Sequence, residues 1–167
     1  MSTAVRMKQQ RAQALVEFAL VLPVLLLILF VIFDFGRAIY AYNAISNAAR
    51  EGGRTAIINQ YPDAVRAKAA QQATAVGLPT TDPGNCPAAG GPTTAANGVC
   101  FALRTGPTLG GACPTPPTLG CVAVVDVKTT FTALTPVIST IIGPIPITAQ
   151  SKQIIEFVCD TSSCPTR

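Results

Sequence analysis

The sequence predicts an α+β protein in which one long N-terminal helix lies on a small antiparallel sheet, and three observations carry that expectation. Residues 18–33 contain no polar side chain, and counting from Ala14 the apolar run covers twenty positions interrupted only by Glu17, about 30 Å of helix and enough to cross a bilayer. Beyond it, Phe35, Ile39, Tyr42, Ile45 and Ala49 recur at intervals of three and four, the spacing of one helix face. In the last third, Ala123, Val125, Val127 and Phe131 alternate with Asp126, Lys128, Thr130 and Thr132, the period of two of a half-buried strand. A helix stripe and a sheet face each need a partner, and laying one on the other buries both.

The chain opens on a basic leader, Met1 to Ala12, with Arg6, Lys8 and Arg11 and no acidic residue. A cleaved secretory signal has an apolar core of roughly 7 to 15 residues followed by a small-residue cut site. Here the core is longer and runs into Asp34-Phe35-Gly36-Arg37, so the segment reads as an anchor whose partner is the lipid bilayer. The positive leader keeps the N-terminus cytoplasmic and sends the rest outside. The expected organisation is a leader over 1–12, a transmembrane helix over 13–34 and an extracytoplasmic α+β domain over 35–167, tethered by a single pass in the cytoplasmic membrane.

Glu17 is the exception within the anchor. A charge at mid-bilayer costs about 2.5 to 3.5 kcal/mol, less near an interface, and an ionisable group there is a functional candidate by default. The plain alternative is that Glu17 reaches the cytoplasmic headgroups. Pro23 removes one helix hydrogen bond and marks a soft point. Asp34 and Arg37, three apart, read as a solvated pair at the outer headgroups, contributing under about 1 kcal/mol.

Past the membrane the same helix is expected to continue, giving one element from Gln13 to Ile58. Gly52-Gly53 weakens it by about 1 kcal/mol per residue, which points to a bend or a close approach there. Arg50, Glu51 and Arg54 read as a solvated face. Tyr61-Pro62 ends the helix, Asp63 caps a second one through Val76, and Gly77 stops it. Being rich in Ala with few large apolar residues, this second helix is expected at the surface.

Residues 79–120 contain eight of the fourteen Pro and eight of the thirteen Gly, and Pro-Thr-Leu-Gly occurs at both 107–110 and 117–120. So polar and broken a stretch does not order itself by burial. The loop over 78–120 reads as a tolerated insertion or a display surface, with only Val99 to Arg104 as a strand. After Cys121 to Thr132 comes a short apolar piece bounded by Pro136 and Gly143-Pro144, then a second long strand from Ile145 to Val158.

All six cysteines, Cys86, Cys100, Cys113, Cys121, Cys159 and Cys164, follow the anchor. An even count in an exported chain implies disulfides, with fifteen possible connectivities; the sequence-local pairs Cys86–Cys100, Cys113–Cys121 and Cys159–Cys164 are the preferred set. With no His in the chain, a metal site would have to be all-cysteine, and these spacings do not resemble one. The same lack removes Ser-His-acid and Cys-His catalysis, Gly90-Gly91 and Gly110-Gly111 lack the helix and Lys of a phosphate cradle, and Asp126 and Glu156 are a pair only by accident of register. No enzyme, no cofactor and no nucleic-acid partner is expected: beyond the leader nine Lys and Arg face eight Asp and Glu, with no basic patch.

The run Arg11-Ala12-Gln13-Ala14-Leu15-Val16-Glu17-Phe18-Ala19-Leu20-Val21-Leu22-Pro23, followed by Asp34-Phe35-Gly36-Arg37 and by Asn47-Ala48-Ala49-Arg50-Glu51-Gly52-Gly53-Arg54, resembles the TadE-like family of minor pilins, or pseudopilins, of tight-adherence pilus systems. The resemblance covers residues 11–56, is weaker in the closing strands and is absent from the Pro/Gly loop. It implies a type IV pilin-like fold, cleavage between Ala12 and Gln13 by a prepilin peptidase, and other pilins and pilus-assembly proteins as partners of a type IVc-like filament. Ala12 departs from the family's usual Gly before the cut. Glu17 becomes the fifth residue of the mature chain, four from the new α-amino group, and is thereby assigned to processing and assembly. The alternative is a membrane-anchored adhesin or binding module whose helix stays in lipid.

Overall fold

The computed structural model of the chain describes residues 2–81, 83, 84, 86, 97–106 and 108–158, and among these the side chains of all but residues 2–12 and 137. Helix α1 (Ser2–Ile58) is a single element of 57 residues that runs through Pro23. It starts eleven residues before the expected Gln13, because the leader is composed largely of strong helix formers, Ala, Arg, Met, Lys and Gln. It ends at Ile58, where Gln60 turns back and donates from Nε2 to the carbonyls of Ala56 (3.0 Å) and Ile57 (3.2 Å). These carbonyls have no partner within the helix, so the side chain acts as its C-terminal cap. The same amide group donates to Phe157 O at 2.9 Å, tying the end of the chain's last strand region to the end of α1.

Helix α2 (Pro62–Gln72) follows, with Pro at its first position, as suits a residue lacking an N–H. The capping position belongs to Tyr61 rather than Asp63, and no side chain caps it; Asp63 sits in the first turn and pairs with Arg66 at 3.4 Å. A 3-10 turn over Thr74–Val76 and Gly77 in the left-handed region (φ 66°) close the segment. The helix lies at the surface as expected, with Pro62, Asp63, Ala67, Lys68, Gln71 and Gln72 exposed, and it buries one face made of Val65, Arg66, Ala69 and Ala70. Their small size is the reason, since Ala on this face lets α2 approach α1 until the Ala69 methyl lies 3.1 Å from where a Cβ on Gly52 would stand.

The sheet has three antiparallel strands in the order β1 (Gly98–Thr105), β2 (Cys121–Phe131) and β3 (Ile145–Ile154). A short helix α3 (Pro136–Ile142) occupies the connection between β2 and β3. The sequence placed all three strands, although the last was expected to reach Val158 and ends at Ile154. The core joins Ile45, Ala48, Ala49 and Ala56 of α1 and Val65, Ala69 and Ala70 of α2 to Val99, Ala123, Val125 and Val127 of the sheet. This is the α+β arrangement expected, with the C-terminal half of α1 as the layer above the sheet.

One expectation about faces is extended and one corrected. In β2 Asp126, expected on the face opposite Ala123, Val125 and Val127, is buried along with Val122 and Val124 on its own face, because β2 is the central strand and side chains of both neighbours flank that face. On α1, Phe35, Ile39 and Tyr42 are exposed. The face that packs is Asp34, Ala38, Ala41, Ile45, Ala48, Gly52 and Ala56, again at intervals of three and four and at least partly buried.

Close approach explains Gly52-Gly53. A Cβ on Gly52 would stand 3.0 Å from Val125 Cγ1, and one on Gly53 would stand 2.5 Å from Ser151 Oγ and 3.1 Å from Gln153 Cγ. The pair therefore seats α1 on β2 and β3 at once.

Cys86 is bonded to Cys100 and Cys113 to Cys121. The first bond joins the loop after α2 to β1; the second fastens the start of β2 to the segment that pairs with β1 through the Arg104–Ala112 bridge. The expected Cys159–Cys164 pair lies outside the described residues, as does Gly90-Gly91.

Candidate functional site

Two features of α1 carry the functional question: its bare apolar half and the point where that half meets the sheet domain. From Leu15 to Phe33 every large apolar side chain except the half-buried Leu22 is exposed. Among the described residues this is the one helix long and apolar enough to cross a membrane. Fourteen of residues 18–33 are Leu, Ile, Val or Phe, and at about 0.3 to 0.6 kcal/mol each they favour insertion by about 4 to 8 kcal/mol. Insertion therefore outweighs one carboxylate near an end, at no more than about 3.5 kcal/mol.

Glu17 is exposed on this half, one turn after Gln13, which is exposed as well. The side chain of Ala12 lies outside the described set. Within α1, residues four apart share a face, so the geometry places the Gln13 and Glu17 positions side by side about 6 Å apart along the axis.

At the other end of the apolar half stands Asp34, and its surroundings differ from the solvated pair expected. The carboxylate is buried. Oδ1 accepts from the Leu134 N–H at 3.0 Å, and Oδ2 accepts from the Thr135 N–H at 3.1 Å and the Thr135 hydroxyl at 2.6 Å. Arg37 is an additional partner at 3.5 Å, and its guanidinium also lies 5.6 Å from the centre of the Phe131 ring. Three donors converging on one carboxylate make a specific junction, since charge-assisted hydrogen bonds are about twice as strong as neutral ones. Asp34 thus clamps the connection between β2 and β3 to the C-terminal end of the apolar segment. Nothing in the local sequence announces this, because the partners lie a hundred residues away; Asp at the close of an apolar run is the only signal.

Arg50, Glu51 and Arg54 form, with Asn47 and Gln72, the walls of an open recess of about 260 Å³. Arg54 and Glu51 approach at 3.8 Å and are both substantially exposed, in keeping with a solvated face. On the sheet, Asp126 lies opposite Gln150 and accepts from its Nε2 at 2.6 Å. Burial pushes the Asp126 carboxyl up to about 6, against the opposing pull of the Gln150 hydrogen bond and the Lys152 charge. Glu156 lies beyond the end of β3 and is exposed; the register pairs Asp126 with Gln150, not with Glu156. No group of three or more His, Cys, Asp or Glu side chains suited to a metal occurs among the described residues.

The arrangement is an apolar rod with a charge near its start, a clamp where the apolar run ends and a small head seated on its far half. Comparison with known proteins bears on the rod. A family model described as TadE-like protein matches residues 12–54, from the expected cut site to the glycines that seat α1 on the sheet. No curated protein and no solved structure matches the chain.

Proposed function

We propose that this chain, TadE-like over residues 12–54, is a minor pilin or pseudopilin that takes part in assembling a tight-adherence pilus. The observation that carries the reading is the coincidence of that match with the rod: the matched residues are the exposed apolar half of α1 and the stretch that docks on the sheet. The TadE-like match supports involvement in tight-adherence pilus systems, the apolar helix supports a single-pass anchor, and the basic leader favours an N-terminus in the cytoplasm with the head outside.

In this reading a prepilin peptidase hydrolyses the Ala12–Gln13 bond, leaving an α-ammonium on Gln13. Such a group has a pKa of about 7.7 to 8.0 and is mostly charged at neutral pH. An ammonium and a carboxylate 4 Å apart attract by about 4 kcal/mol at an effective dielectric of 20, the same size as the cost of holding Glu17 near the lipid. The pair, within one chain or between neighbours, offsets that cost and fixes axial register as the helix packs among other pilins, much as one polar residue fixes register in a coiled coil.

Co-expression with the cognate prepilin peptidase tests the first step: intact mass should show a chain beginning at Gln13. Retention of residues 1–12 in protein recovered from sheared pili overturns the proposal. For the second step, Glu17→Leu should still be cleaved yet fail to enter sheared pili by immunoblot, and unchanged incorporation removes the role given to Glu17.

A further inference from the structure

The connection between β2 and β3 has a composition unlike the rest of the head. Residues 129–151 contain no Asp, Glu, Lys or Arg, and within them Leu134, Ile141, Ile142 and Ile145 are exposed, Ile141 to 78 % and Leu134 to 73 %. Large apolar residues clustered on a surface in this way mark a contact site.

Position in the fold says what covers it. Gly53 abuts Ser151, and from there back to Asp34 is nineteen residues of helix, about 28 Å. From Ser151 back to Ile145 is six residues of strand, about 20 Å. For a strand lying along the helix, the sheet therefore stops about 8 Å short of the height of Asp34, and the connection crosses that gap to donate its three hydrogen bonds to the carboxylate. Asp34 in turn directly follows the apolar run 18–33, the last residue of which, Phe33, is exposed. Leu134 and Thr135 thus meet α1 where the lipid-soluble segment ends, and the connection that they open carries its exposed apolar side chains at that end of the sheet.

We propose that residues 134–145 form a foot that rests in the outer membrane–water interface, with Leu134, Ile141 and Ile142 reaching the acyl boundary while Asp34 holds the foot at that height. The occupant is lipid. The foot is too short to span a bilayer, it is uncharged, so it offers no ionic complementarity to a protein partner, and it adjoins the surface that lipid already covers. Phe35 and Tyr40, both exposed on the following turns of α1, sit where aromatic side chains favour the headgroup layer. This inference rests on reading residues 13–33 as a membrane span, and it is independent of cleavage and pilus entry.

The chain contains no Trp, so single tryptophans report depth without background. Ile141→Trp, Leu134→Trp, Phe30→Trp in the span and Ile154→Trp at the far end of the sheet, where Ile154 is 62 % exposed, are each placed in the full chain and reconstituted into phosphatidylcholine vesicles. Emission is compared between ordinary and chain-brominated lipid. Ile141→Trp and Leu134→Trp should lose emission to bromine as Phe30→Trp does, and Ile154→Trp should not. Quenching at Phe30→Trp with none at Ile141→Trp and Leu134→Trp overturns the foot and leaves the span standing. A blue shift at those two positions that grows with protein density but is insensitive to bromine shows a second protein copy as the occupant and also overturns it. Absence of quenching at Phe30→Trp refutes the span, and the foot with it.

Discussion

Asp126→Asn should stabilise the head at neutral pH and leave it unchanged in acid. Asp126 is 4 % exposed on the central strand, and burial lifts its carboxyl from 3.8 to about 6. The folded state therefore binds the proton more tightly than the unfolded state, so stability falls as pH rises between about 4 and 6 and stays reduced above. The shift of about two units corresponds to about 3 kcal/mol, of which about 1 to 3 kcal/mol should be recovered, because the Lys152 attraction is lost with the charge. Asparagine keeps the acceptor that Gln150 uses at 2.6 Å. The assay is thermal melting of both proteins in the same non-ionic detergent from pH 4 to pH 8, read as the difference between them so that other titrating groups cancel. At about 3 to 6 °C per kcal/mol for a head of this size, the variant should melt at least 3 °C higher at pH 7.5 and coincide with the parent at pH 4. A difference that is constant with pH, or one that opens toward acid, refutes the claim that burial of a charged carboxylate at this position costs stability.

Removing the clamp, Asp34→Ala should lower the melting temperature, since three donors lose a charged acceptor, and Thr135→Val should lower it by less; equal melting of parent and Asp34→Ala would mean the junction contributes nothing. Gly53→Ala should destabilise by about 1 to 3 kcal/mol through overlap with Ser151 and Gln153, with Ser151→Ala restoring part of the loss. By contrast, Gly36→Ala, where a Cβ meets nothing within 4 Å, should gain up to about 1 kcal/mol. Replacing Cys86 and Cys100 together by Ser opens a loop of sequence separation 14 and should lower stability by about 3 kcal/mol, read in the same melts.

Element type was legible where a long periodic run determines it. The rod is fixed by twenty near-uniformly apolar positions, and β2 by an alternation of β-branched residues. What failed was the facing of α1. Periodicity gives weight to large side chains, so Phe35, Ile39 and Tyr42 defined the stripe, yet large residues just outside a membrane segment face outward and the buried face is built from Ala38, Ala41, Ala48, Gly52 and Ala56. Small residues at helical spacing were the available signal, on α1 and equally on the buried face of the surface helix α2. Glu17 was legible as a candidate because a charge in an apolar run is locally anomalous. The Asp34 clamp and the Gln60 cap were not, because each depends on partners roughly a hundred residues away in sequence, which no local pattern encodes.

The division of α1 into a half with large side chains and a half with small ones also explains why the helix is unbroken between them. Glu17 and Asp34 are seventeen residues apart on one continuous helix, about 26 Å along its axis. Lipid covers large side chains without regard to shape, whereas close approach to a sheet requires small ones, so each half has the surface its neighbour demands. Asp34 is the first buried position of α1 among the described side chains and is bonded to the head, which is further held by the glycines at 52 and 53. Any axial register that Glu17 imposes on the rod is therefore transmitted to the head with no slack at the junction. A flexible linker at residues 34–37 would leave rod and head independently placed; Asp34→Ala should accordingly loosen the junction more than the core, visible as amide exchange that accelerates more over residues 132–145 than over β2.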